Sequence, residues 1–407
     1  MALSPAARDH YIPTLDGWRA VAIALVIADH LMLVVRPRVA GTVALGQVGV
    51  NLFFGLSGFL ITSRLLAERG RANGQIALGA FYLRRAARIL PAAFVYLAVI
   101  GVAGVAGWLP VRPLEVVAAA CFFRNYLPPA LPLAGTTLGV WDGFYTSHFW
   151  SLAIEEHFYL FWPPLLRRLR TTRAVGWAAA ALALAVAFWR GAALLLSVIR
   201  TGHGVALFTW RTDLRLDALL CGAAMAAVFT RPAVRAWLSD RRGQVTWLAA
   251  LVAYMLVLGH YHSRPTVWEA ALIPILIAGT VARPHGLAGR LLDVPAVRWV
   301  GRLSYSLYLW QQLWVPFAGI PHSLGRLQAW PFNLLAIVLS AAASYSLVER
   351  PCIRMGARLM GRGLLAGASE RRDRGGSAPG VVAAADEQVE RREREVYVVG
   401  GVLEGDR

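Results

Sequence analysis

The chain contains no lysine: all 41 of its basic residues are arginine, set against 23 acidic ones, for a formal net charge of +18. Charge of either sign is scarce, at 16% of 407 residues, while 57% are hydrophobic and the mean hydropathy is +0.52. A composition this apolar excludes an ordinary soluble domain and makes lipid the expected solvent. The basic excess could suit nucleic acid, but no zinc-finger spacing or basic helix in a polar background is present. Cysteine is also scarce. Cys121, Cys221 and Cys352 are odd in number and lack CxxC spacing, so neither a disulfide framework nor a structural zinc site is expected, only small buried thiols. No glycine-rich phosphate loop occurs, and no serine, histidine and carboxylate grouping stands around a nucleophile elbow. No A-x-A-like site closes a short hydrophobic region at the start, and Asp9, His10 and Asp16 precede the first apolar run. That run is therefore read as an uncleaved first span.

Ten segments approach the roughly 20 apolar residues that a membrane crossing needs: 18–36, 46–66, 89–108, 149–166, 174–196, 213–229, 245–259, 268–282, 303–320 and 331–349. Arginines alternate between the connections. Arg69 to Arg88, Arg167 to Arg173, Arg231 to Arg242 and Arg283 to Arg302 crowd every second connection, and the others are poorer. The positive-inside rule makes the crowded set cytoplasmic and puts both termini inside. The fold expected is an all-α polytopic membrane bundle of about ten transmembrane helices over residues 1–360. A flexible cytoplasmic tail, 361–407, is expected after it, where ERRDRGGSAPG and EQVERRERE change the character of the chain. Segment 109–148 is expected outside, as a re-entrant or surface loop over a site.

Ionisable residues within spans are costly and default to functional candidates. In LDGWRAVAIALVIADH, eleven helical positions carry Arg19 round to within about 20° of the face of His30, roughly 16 Å along the axis. That suits a guanidinium gripping phosphate at one mouth and an imidazole acting deeper. Asp29 points about 100° away from His30, so the carboxylate orienting the ring is expected from another span. HFWSLAIEEHFYLFWP offers Glu155 and Glu156 for that role. TDLRLDALLCG adds Arg215 and Asp217 as an ion pair or substrate contact. FYLRRAARILP adds Arg84, Arg85 and Arg88 on the side of Arg19, where topology or donor phosphates could explain them. GVNLFFGLSGFLI brings Asn51 and Ser57 among glycines that permit close helix packing, and Tyr305 in GRLSYSLYLWQQ is a cavity-lining or interfacial aromatic.

Taken in order, the segments LDGWRAVAIALVIADH, GVNLFFGLSGFLIT, FYLRRAARILPA, HFWSLAIEEHFYLFWP, RLDALLCG, GRLSYSLYLW and SYSLVERP resemble the bacterial membrane-bound acyltransferase family 3 from about Leu15 to Arg354. That family includes O-acyltransferases of polysaccharides, nodulation factors and macrolides. The resemblance implies that the family's first-span arginine and histidine fall on Arg19 and His30, its arginine cluster on Arg84, Arg85 and Arg88, and its paired glutamates on Glu155 and Glu156. Three positions depart from the pattern: Asn51 stands where aspartate is usual, His157 where glutamine is usual, and Gln311 where histidine is frequent.

The expected activity is transfer of an acyl group, acetyl first among candidates, from acyl-coenzyme A to a hydroxyl of a sugar-containing acceptor in the plasma membrane. The acceptor could be a cell-envelope glycan, a glycolipid or a macrolide-like metabolite. His30 is the expected base, with no metal and no permanently bound cofactor, and membrane lipid rather than nucleic acid is the surrounding partner. The hydrolase-like domain often fused in the family is not apparent here, an expectation that favours a small or lipid-linked acceptor. A proton-coupled secondary transporter is the alternative from another class, and a catalytically inactive relative used in assembly or sensing is a third reading.

Overall fold

The computed structural model describes residues 12–35, 45–71, 74–127, 143–201, 210–261, 267–316 and 323–359, and every regular element among them is helical. Each of the ten apolar segments overlaps a helix among the described residues: α1 Pro13–Val35, α2 Leu45–Arg71, α3 Leu78–Val105, then the short α4 Pro113–Ala120, followed by α5 Phe149–Arg168, α6 Thr172–Thr201, α7 Asp217–Phe229, the short α8 Pro232–Ser239, α9 Arg241–Tyr261, α10 Val267–Ala282, α11 Pro295–Trp314 and α12 Phe332–Ser344. The last helix continues through a π-helical turn, Tyr345–Glu349, to Leu359. Local signals match these boundaries. Proline opens α4, α8 and α11, where its missing N–H is not needed, and arginines close α2 and α5, where the helix dipole favours positive charge.

Helix does not translate one for one into membrane crossing. Four helices are long and apolar enough to cross alone: α2, α3, α6 and the whole of α12. A fifth crossing results if α7 and α8, bent by 100° at their break, count as one. The expected ten crossings are therefore matched as ten helices but only four or five qualify by length and apolarity. Among the rest, α10 is only 16 residues long, and α5 and α11 carry charged and amide groups along their length. The tail 361–407, and part of the loop within 109–148, lie outside the described residues. The described part of that loop holds α4 and a 3₁₀ turn, Arg124–Tyr126.

Helix α2 is the axis of the bundle, packing most extensively on α7 and α1, and α11 packs on α1 and α12. Glycine makes the tightest of these crossings possible. A Cβ on Gly58 would collide with the carbonyl of Leu219 in α7, and one on Gly222 with the carbonyl of Gly55, so the two backbones touch reciprocally. The core comprises residues such as Ile23, Phe54, Tyr96, Ile154, Leu309 and Ile337, all fully buried. By contrast α6 has only 17% of its apolar window buried, with Trp177, Leu184, Phe188 and Ile199 outward. That outward face is what lipid would cover. Cys121 is exposed rather than buried, a departure from the expectation for free thiols; Cys221 and Cys352 are partly buried.

Candidate active site

A narrow cavity of about 90 Å³ runs between α1, α2, α3, α5 and α11. Its α2 wall is Val50, Phe53, Phe54, Ser57 and Leu60, one stripe at helical spacing. Arg19 of α1 and Arg85 and Arg88 of α3 stand around it, as do Glu155, Glu156 and Tyr159 of α5. Arg19 pairs with Asp16 one turn earlier at 2.7 Å. The Arg85 guanidinium lies over the Tyr159 ring, 4.2 Å from its centroid, an arrangement that holds the planar cation while leaving its edge for a ligand. Arg64 on α2 lies within electrostatic range of Arg19, Arg85 and Arg88 but does not line the cavity. Several guanidiniums gathered in a desolvated setting form a strong anchor for phosphate oxygens.

Glu155 accepts hydrogen bonds from Tyr159 at 2.8 Å and from Ser57 at 3.2 Å. Ser57 thus has a polar partner in addition to the packing role expected for it. Tyr305 lines the cavity and donates its hydroxyl to the Ile89 carbonyl at 2.8 Å.

Ser151 and Tyr308 line the end of the cavity away from the arginines. The Tyr308 hydroxyl donates to the His148 carbonyl at 3.0 Å, and Ser151 Oγ lies 2.6 Å from the same hydroxyl. Neither His148 nor His30 lines the cavity; His148 is joined to its wall through Tyr308. The Nδ1–H of His30 donates to Oε1 of Gln311 on α11. That bond selects the tautomer whose Nε2 carries the lone pair, the state a general base requires.

A family model described as an acyltransferase domain, Acyl_transf_3, matches residues 12–349. The chain belongs to that family. Among similar proteins, the peptidoglycan O-acetyltransferase OatA of Listeria monocytogenes is 27% identical over 359 residues, covering 83% of this chain and 54% of the relative. A Bacillus subtilis (strain 168) protein, YrhL, whose name provisionally assigns it to peptidoglycan O-acetylation, is 28% identical over 378 residues, covering 86% and 56%. A Staphylococcus aureus (strain COL) protein provisionally named an O-acetyltransferase is 27% identical over 377 residues, covering 86% and 58%. The chain therefore spans little more than half the length of these curated relatives. No solved structure is a significant match.

Within the family fold, Arg19, Arg85, Arg88, Glu155, Glu156 and Tyr305 all meet at the cavity. Other candidates lie elsewhere. Arg84 faces Glu68 at 3.7 Å and does not line the space. Asn51 is turned off the cavity stripe of α2, donating to Glu269 and accepting from Arg215 at 2.9 Å. Asp217 pairs with Arg190 at 2.8 Å rather than with Arg215. The amide that orients His30 is Gln311, not Glu155 or Glu156. The reason is depth: His148 occupies the level of His30 at the start of α5, and seven further residues carry Glu155 about 10 Å deeper.

Sequence reasoning did not select Arg64 or His148. Arg64 had a usable signal, a cation within the predicted second span. His148 sat just before a predicted span, where no periodicity marks it. Among the described residues, no group of histidine, cysteine and carboxylate side chains is arranged to hold a metal ion.

Proposed function

We propose that this acyltransferase-family membrane protein moves an acetyl group from acetyl-coenzyme A to a hydroxyl of a cell-envelope glycan. The observation that carries the proposal is the polarity of one cavity, with guanidiniums at one end and a hydrogen-bonded histidine beyond the other. The donor's phosphates fit Arg19, Arg85 and Arg88, and its pantetheine arm fits the apolar stripe of α2. The thioester then reaches past Ser151 and Tyr308 toward His30.

His30 removes the proton from the acceptor hydroxyl, and the oxygen attacks the thioester carbonyl directly. Gln311 holds the ring in register through that step. The names of the relatives, two of them tied to peptidoglycan, support a glycan acceptor for this chain as well. The distance between the arginine and histidine groups supports a donor of the length of coenzyme A.

The test is transfer of labelled acetyl from acetyl-coenzyme A by the detergent-purified chain, with peptidoglycan fragments as acceptor and free thiol release followed in parallel. Acetylated glycan with stoichiometric thiol is the expected result. Neither product, from a folded preparation supplied with short and long acyl donors, would overturn the reading.

A further inference from the structure

His148 is 3% exposed, and neither of its ring nitrogens has a hydrogen-bond partner among the described residues. Its imidazole is enclosed by the rings of Phe149, Tyr96 and Tyr308, with centroids at 4.9, 5.2 and 5.6 Å. A neutral imidazole carries one donor and one acceptor, and burying both unmatched in such an enclosure is costly. An orphaned pair of this kind calls for a ligand. The setting shows which ligand: His148 stands close enough to His30 for the charge on one to act on the other, and Tyr308 connects its backbone to the wall of the cavity. A second orphan stands beside His30. Gln311 is fully buried, its Oε1 is taken by His30, and its Nε2 has no partner.

We infer that His148 is a second catalytic imidazole, whose ring N–H donates to the acyl carbonyl oxygen during transfer, with the Gln311 amide as a neighbouring donor. This deepens the acetyl-transfer reading and rests on it. The acceptor O–H gives its proton to His30, and the acceptor oxygen forms a bond to the thioester carbon. The C=O π pair moves onto the carbonyl oxygen, where the His148 N–H meets it. The pair then returns, the C–S bond breaks, and the departing thiolate takes the proton from His30. The products are one ester and one thiol. The two histidines thus divide the chemistry: His30 moves the proton, and His148 stabilises the charge on oxygen without titrating.

The experiment compares His148→Phe, which fills the aromatic enclosure without a donor, with His148→Gln, which keeps an N–H. For His148→Phe, kcat should fall about 10²- to 10³-fold, the scale for losing one such donor, with KM for acetyl-coenzyme A little changed. His148→Gln should recover at least tenfold of that loss. A His148→Phe protein above half the parent kcat, or two variants equally impaired at equal folded yield, would overturn the inference. Should neither variant fold, the parent bound to a donor analogue with a methylene in place of the thioester sulfur decides the matter. Its carbonyl oxygen should lie within hydrogen-bond reach of a His148 nitrogen, and an oxygen held elsewhere would refute the role. A parent that transfers no acetyl at all brings down the functional reading beneath it. An active parent with indifferent His148 variants brings down only the second imidazole.

Discussion

Two sets of buried charges lie in the same bundle and behave differently. Around α7, Arg190 meets Asp217 at 2.8 Å and the Leu214 carbonyl at 2.9 Å, while Arg215 donates to Gln47 and to Asn51, which in turn reaches Glu269. Arg215 also lies over the Trp150 ring, 5.4 Å from its centroid. Each of the two guanidiniums and two carboxylates has a protein partner, directly or through the Gln47 and Asn51 amides, and none of the four lines the cavity. The second set, Arg19, Arg85, Arg88, Glu155 and Glu156, surrounds a space. The difference teaches that intramembrane charge by itself does not mark a substrate site. A site is marked where the charges border a cavity and where, as at His148, polar atoms are left without a protein partner.

The comparison can be broken at its most sensitive point, His30. General-base catalysis contributes about 10²- to 10⁴-fold, so His30→Ala should lose acyl transfer on that scale while the protein still folds. Initial rates of detergent-purified variants matched for thermal stability measure this, and a rate near the parent's would remove His30 from the mechanism. Replacing Asp217 with alanine should act on the opposite property. It strands Arg190 in the bundle, and losing one partner of a buried pair costs about 3–5 kcal/mol of stability. Folded yield and Tm should fall sharply, yet the fraction that folds should turn over at the parent rate. A clear drop in kcat per folded molecule would move the α7 network into the site.

Two further changes sharpen the contrast within a single arginine motif. Arg88→Gln should raise KM for acetyl-coenzyme A by about tenfold or more, since a charge-assisted hydrogen bond is worth roughly 1.5–3 kcal/mol. Steady-state kinetics with donor and acceptor varied separately would show it, and an equal rise for the acceptor would argue against a phosphate contact. Arg84→Gln should have the smallest effect, less than threefold in either KM, because Arg84 faces Glu68 across a partly exposed 3.7 Å gap and such pairs contribute about 0.2–1 kcal/mol. An Arg84 effect as large as that of Arg88 would mean that the cavity is wider in solution.

Much of the helical layout was legible because it is a matter of period and solvent. Runs such as Trp177–Trp189 and Leu334–Leu339 are apolar in every direction, and a chain in lipid must satisfy its backbone within each segment. The number of true crossings was less legible, because hydropathy cannot distinguish a helix facing lipid, such as α6, from one packed inside, such as α5. Arg19, Arg85 and Arg88 were findable as cations at the ends of apolar runs. Their separation from Arg84 was not, because adjacent helical positions differ by about 100° and only the neighbouring helix decides which of them meets the cavity.

By itself the sequence determined the apolar helical elements, membership of the acyltransferase family and the placement of Arg19 and His30 on one helix. All of these follow from local period or from residues close together in the chain. The tertiary structure alone decided that Gln311, 281 positions away, is hydrogen-bonded to His30, that Asn51 and Arg215 bond each other away from the cavity, and that the His148 ring has no hydrogen-bond partner among the described residues. Those outcomes depend on depth and rotation between helices, and the packing of glycine against carbonyl sets both. No spacing along a single segment carries that information.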